Sequence, residues 1–284
     1  MANEVQVQQK QGINTYLQSE AVKNNIISVI GKDDAQRFIS SVVSAVQGNQ
    51  ALAECTNSSI LSAALIGHSL KLPQSPQLQM FYLVPYNNTK KDAAGKETTV
   101  KEAVFQLSYR GYLQLAMRSG QYRHLNACDI REGELKSFNP ITEEYVFNAI
   151  TDYEKRKELP VIGYYAYFEM TNGYKKELYW SKEQMEAHAK KYSQSYRKGW
   201  KNSFWVSDFD AMALKTMIRQ LVSKWGMMSV DLETAYKNDM AVQDENGNLV
   251  YIDNVPDEPA KGVDPFTDGG VIDSEIVEEK PMHD

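Results

Sequence analysis

Cysteine is nearly absent. Cys55 and Cys128 are the only two in 284 residues, too far apart in sequence to announce a zinc site or a disulfide framework. Both read as buried thiols of a protein in a reducing compartment. Histidine is almost as scarce: four scattered residues form no H-E-x-x-H, and neither G-x-S-x-G nor C-x-x-C occurs anywhere. His68 shares a helical face with Leu61, Ala64 and Leu65 and reads as a packing histidine. A phosphate-binding G-x-x-x-x-G-K-[ST] loop is also missing; Gly31-Lys32 is followed by Asp33 and Asp34, which would repel phosphate, so ATP hydrolysis is not expected. No apolar run approaches the ~20 residues that span a bilayer, and the start "MANEVQVQQKQGINTYLQSE" lacks a basic-then-apolar leader, so no membrane association and a cytoplasmic location are expected. Repeats with a period of about 20 to 50 residues are absent as well. Pieces of a P-D…E-x-K nuclease can be found in Pro256, Asp257, Glu278 and Lys280, but no strands flank them to hold two carboxylates around a metal. No metal and no cofactor is expected.

What the chain does have is unevenly placed charge. The net charge is −6, yet residues 71–225 hold 24 Lys and Arg against 17 Asp and Glu, whereas residues 226–284 hold 3 against 15. A basic body attracts polyanions by phosphate contact and counterion release, and an acidic end can compete for the same surface. Composition marks a break at about Val230, giving a body over 1–229 and an acidic, Pro- and Gly-rich, largely flexible tail over 230–284, with one short helix around "DLETAYKND".

Within the body, residues 10–72 carry helical periodicity: "NTYLQSEAVKNNIISVIG", "KDDAQRFISSVVSAVQGN" and "TNSSILSAALIGHSLKLP" each end on Gly or Pro. From residue 73 to 229 strands dominate first. "QLQMFYLVPY" and "KEAVFQLSY" flank a lysine-bearing loop, and "VIGYYAYFEM" and "YKKELYW" flank Asn172-Gly173, which suits a tight turn. Between them "RGYLQLAMRSG" reads as a helix closed by Gly120, with "YRHLNACDI" and "EYVFNAI" as strands. A helix starts at Ser181, and "SDFDAMALKTMIRQLVSKWG" is the strongest helical pattern, with Phe209, Ala213, Met217, Leu221 and Trp225 on one face and Lys215 and Arg219 on the polar stripe that remains.

Cations interleaved with aromatic rings are the chemical signal. "KKYSQSYRKGWKNSFW", from Lys190 to Trp205, has five basic and five aromatic residues and no carboxylate. Single-strand binders use Lys and Arg to track phosphates and rings to stack bases. Lys190, Lys191, Arg197, Lys198 and Lys201 supply the first; Tyr109-Arg110, Arg118, Arg123, Lys175, Lys176, Trp180, Lys215 and Arg219 extend the set. The competing assignment for the rings is structural: Tyr192, Tyr196, Trp200 and Phe204 recur every four residues, as on the core face of a helix.

The succession "SILSAALIGHSLKLPQSPQLQMFYLVPYNN", "FQLSYRGYLQLAMRSGQY", "GYYAYFEMTNGYKKELYWSKEQMEAHAKKYSQSY" and "FDAMALKTMIRQLV" resembles the RecT family of phage and prophage single-strand DNA annealing proteins, in order, over roughly residues 10 to 225. The resemblance implies an α+β fold: a β-β-β-α annealing core with N-terminal helices and a long C-terminal packing helix. It also implies annealing of complementary strands without ATP or a catalytic site, a basic groove for single-stranded DNA and annealed duplex, and self-assembly into a ring or helical filament. A 5′-to-3′ exonuclease and the host single-stranded DNA-binding protein are the implied partners. By position the groove draws on Tyr109, Arg110, Arg118, Lys190, Lys191, Lys215 and Arg219. The stretch from Arg197 to Trp205 is richer in rings than the resemblance leads one to expect. Two other classes of function compete: a nucleic-acid binder that does not anneal, and a metal-dependent nuclease.

Overall fold

The computed structural model describes residues 11–75, 77–91, 97–139, 141–199, 203–243 and 249–251. It begins with five helices: α1 Ile13–Gln18, α2 Glu20–Ile30, α3 Lys32–Gln47, α4 Gln50–Ala53 and α5 Asn57–Ser69. The first expected helix is two, because Ser19 leaves helical geometry (φ −60°, ψ 140°) and becomes the N-cap position of α2. Gly31, at φ +87°, then turns the chain into α3, a conformation open to glycine at little cost. Thr56 caps α5 by accepting a hydrogen bond from Ser59 N–H. Leu17, Ile26, Phe38, Ile39, Val42 and Ile60 close the helical core, and His68 meets the Phe38 ring edge-on at 5.5 Å between centroids.

A long hairpin follows, β1 Phe81–Lys91 with β2 Glu97–Leu107, antiparallel in unbroken register from Phe81↔Leu107 to Lys91↔Glu97. Its base lies against α5, where Gly67 sits so close on the Phe81 ring that a methyl there would overlap it. Helix α6 (Tyr109–Arg118) is capped by Ser108 and ends before Gly120. β3 (Tyr122–Arg131) then leads to a small hairpin, β4 Leu135–Asn139 with β5 Glu144–Phe147, and to α7 Tyr153–Glu158. β6 (Val161–Met170) and β7 (Lys175–Ser181) return around Asn172-Gly173 and complete an antiparallel three-stranded sheet in the order β3-β6-β7. Alternation along β6 sends Tyr164, Ala166, Phe168 and Met170 into the core and leaves Tyr165, Tyr167 and Glu169 on the outer face.

Four helices end the body: α8 Lys182–Tyr192, α9 Gln194–Arg197, α10 Phe204–Ser207 and α11 Phe209–Trp225. A reciprocal Ser181/Gln184 capping box starts α8. Asp208 caps α11, which lies across β3, β6 and β7 and against α6. The α+β class, the helical N-terminal part and the long packing helix expected from the sequence are all present.

Packing continues past Val230. Helix α12 (Val230–Asn238) buries Leu232 and Ala235 against α6 and β2, and a short hairpin follows, β8 Ala241–Gln243 with β9 Leu249–Tyr251. Residues 252–284, the greater part of the expected tail, lie outside the described residues. Among the described residues no helix is long and apolar enough to cross a membrane.

Candidate nucleic-acid interface

The cations predicted from the sequence separate into three environments. The first is exposed and joined by α10. Arg110 stands on the first turn of α6, exposed, with no ion pair among the described residues. Its neighbour Tyr109 is held down: its hydroxyl lies 3.3 Å from Asn126 Oδ1 and accepts from Ala127 N–H at 3.4 Å, and burial raises its pKa above the ordinary phenol value. Lys190, Lys191, Arg197 and Lys198 are exposed together at the end of α8 and along α9. Arg197 folds back to donate to the carbonyls of Lys190 (3.4 Å) and Lys191 (3.1 Å), which neutralises the free C-terminal carbonyls of α8 and concentrates positive charge there. Lys191 Nζ lies 4.8 Å from the centre of the Tyr192 ring.

The short helix α10 connects the two cationic groups through rings. Trp205 packs inward beside His188, Tyr196 and Phe209. Phe204, on the other side, stacks on Tyr82 of β1 with centroids 6.2 Å apart and planes inclined by 28°. The rings between Lys190 and Trp205 are therefore divided: Tyr192, Tyr196 and Trp205 pack, and Phe204 faces outward. The core-helix alternative for this segment fails because Ser193 (φ −110°, ψ 108°) ends α8 and Gly199 adopts φ +62°. Lys201 and Trp200 lie outside the described residues.

In the second environment, cations are exposed but paired. Arg123 and Lys175 both reach Glu169, at 3.1 and 3.3 Å, on the outer face of the sheet. Lys176 pairs with Glu143 and lies 4.7 Å above the Trp225 ring. Arg118 donates to the carbonyls of Leu70 (3.0 Å) and Lys71 (3.4 Å), closing the end of α5. Trp180 is half-buried against the core and tilted onto His188, with centroids 5.2 Å apart.

The third environment departs from expectation. Lys215, assigned from the sequence to an exposed polar stripe, is 5% exposed, and its Nζ is 2.9 Å from Asp239 Oδ1, itself 1% exposed. Asp239 also accepts from Leu107 N–H at 2.8 Å and from the Tyr112 hydroxyl at 2.9 Å. Burial, followed by the Asp239 charge, holds the Tyr112 pKa well above the ordinary phenol value. Arg219, one turn on, is half-buried with its guanidinium 4.5 Å from the Tyr236 ring of α12. The periodicity of α11 marks its polar stripe correctly, but α12 and Asp239 cover it. Cys128 is likewise only half-buried, with burial pushing its thiol pKa up.

Tyr82 is not among the rings that the sequence offers for binding, and Phe204 is there only as one ring of the Lys190–Trp205 segment, open to stacking or to the core. A signal for Tyr82 was present: in "MFYLV" Phe81 and Leu83 point into the core, so Tyr82 must point out. Its hydroxyl pKa is raised, first by burial, with Arg110 pulling it down and Asp208 pushing it up.

The model described as RecT family matches residues 36–250. The chain is 40% identical over 241 residues to the uncharacterized protein YqaK of Bacillus subtilis (strain 168), covering 85% of this chain and 75% of that one. To Protein RecT of Escherichia coli (strain K12) it is 27% identical over 226 residues, which is 79% of each.

Proposed function

As the chain belongs to the RecT family, we propose that it binds single-stranded DNA and anneals complementary strands in homologous recombination, without ATP and without a covalent step. The observation that carries the physical side is the set of exposed cations around α10: Arg110, near the Tyr82 ring on which Phe204 stacks, and Lys190, Lys191, Arg197 and Lys198 on the α8–α9 segment whose rings meet Trp205. Two bare strands repel each other. A surface that neutralises phosphates releases counterions and lowers that barrier, and contact through the backbone leaves the Watson–Crick edges open to a complement. Base pairing itself then drives the reaction.

Subunits assembled into a ring or filament would join such tracts into a continuous path. An exonuclease that exposes single strands 5′ to 3′ and the host single-stranded DNA-binding protein are the partners this role needs, in the bacterial cytoplasm. Arg123, Lys175 and Lys176 could join the path by exchanging their carboxylate partners for phosphates, whereas Lys215 and Arg219 support it from beneath.

An annealing assay with fluorescently labelled complementary oligonucleotides, run with and without EDTA and ATP, separates the competing functions. Faster pairing in all conditions is expected. Protection of the strands with slower pairing would indicate a plain binder, and magnesium-dependent degradation would indicate a nuclease.

A further inference from the structure

Tyr82 and Phe204 lie 122 positions apart, on β1 and α10, yet their rings are stacked and remain 36% and 43% exposed. The ring next to each in sequence is spent on the core, Phe81 in β1 and Trp205 in α10, both nearly buried. Arg110 rises beside them from α6, exposed and without an ion pair among the described residues. Two stacked, partly exposed rings close to an exposed guanidinium give an aromatic surface with a cation beside it.

We propose that Tyr82 and Phe204 form a stacking platform for one unpaired nucleobase of the bound strand, with the adjoining phosphate held by Arg110. The assignment rests on the single-strand binding proposed above. A nucleotide is the occupant that matches both halves of the surface: a π-face for the rings and an anion for Arg110. Asp208, whose charge also reaches Tyr82, repels phosphate and is occupied in capping α11 through Ala211 N–H at 3.3 Å. It therefore orients the ligand, with its phosphate toward Arg110 and its base over the rings. Stacking engages the face of a base and leaves its pairing edge free, so the platform can hold a strand without blocking a search for its complement. It also predicts no preference for one base, since every base has a π-face.

The test compares binding of a labelled oligo-dT with that of an abasic oligonucleotide of the same backbone, by fluorescence anisotropy across a salt series, using the full chain. Wild type should bind oligo-dT on the order of tenfold more tightly than the abasic strand. Tyr82→Leu and Phe204→Leu should each reduce that ratio severalfold while leaving the salt slope unchanged, because neither ring neutralises a phosphate. Arg110→Ala should retain most of the ratio and make the slope shallower by about 0.7, the value for one phosphate of a single strand. Equal binding of the two strands by wild type, or an unchanged ratio in both ring variants, overturns the platform while single-strand binding stands. Failure of wild type to bind oligo-dT at low salt overturns both the platform and the function on which it rests.

Discussion

Lys215→Met tests most sharply what a lysine buried under α12 does. Lys215 Nζ, Leu107 N–H and the Tyr112 hydroxyl all donate to Asp239, at 2.9, 2.8 and 2.9 Å. Removing the lysine leaves a carboxylate that is 1% exposed with two hydrogen bonds and without its paired ammonium. Losing one partner of a buried pair costs about 3 to 5 kcal/mol. At roughly 2 to 4 °C per kcal/mol for a body of this size, the melting temperature should fall by roughly 10 °C. Asp239→Ala should cost at least as much, because it strands a charge, an amide and a hydroxyl together. Asp239→Asn combined with Lys215→Met should recover part of the loss, since neither charge then remains buried; thermal denaturation of wild type, Lys215→Met, Asp239→Asn and the double variant closes a double-mutant cycle with a favourable coupling. The decisive contrast is with DNA binding. A lysine on phosphate would contribute about 0.7 to the salt slope for single strands. Burial predicts an unchanged slope for Lys215→Met under conditions where the variant is folded. A slope reduced by that amount, with the melting temperature unaltered, would refute the buried-anchor assignment and return Lys215 to the groove.

Other expectations follow from separate parts of the molecule. Glu134 is nearly buried and held by Arg156 Nε at 2.6 Å, Arg156 Nη2 at 3.0 Å and Arg131 N–H at 2.8 Å. Burial pushes its pKa up, but these hydrogen bonds and the Arg156 charge outweigh it, and the net shift is downward. A lowered folded pKa supplies stability above the unfolded value of about 4.3 that is lost as pH falls below it. Glu134→Gln should therefore be less stable at neutral pH and show a shallower acid-induced decline, as read by urea denaturation at several pH values. Gly111→Ala should destabilise by about 1 to 3 kcal/mol, because a methyl there would overlap Met80 O and Leu107; the urea midpoint measures it. Residues 252–284 contain ten carboxylates and two lysines, so truncation after Tyr251 should tighten single-strand binding at low salt, with the difference fading at high salt.

Local signals in the sequence located most elements because they act over a few residues: the alternation of β6, Asn172-Gly173 in its turn, Ser181 and Asp208 as caps, and the apolar face of α11. Charge partition and the cation-aromatic interleaving singled out Arg110, Lys190, Lys191, Arg197 and Lys198, all of which lie exposed. What was illegible depends on distant partners. Nothing near Lys215 in sequence announces that Asp239 folds over it, so a stripe polar in composition was read as a stripe open to water. The partners of Trp180 and Arg118, His188 and the carbonyls of Leu70 and Lys71, are likewise not announced by the residues next to them. The meeting of Tyr82 and Phe204 is likewise a product of the tertiary fold.

The most direct measurement of the central claim is the rate at which complementary oligonucleotides anneal across a salt series, for wild type and for the triple variant Arg110→Ala, Lys190→Ala, Lys191→Ala. The wild type should accelerate pairing without nucleotide, most strongly at low salt. The variant should remain folded, since these three side chains are exposed, lose most of the acceleration, and bind single strands with a salt slope shallower by about 2, from about 0.7 for each lost phosphate contact. A folded variant that anneals as fast as wild type, with an unchanged slope, would contradict the account.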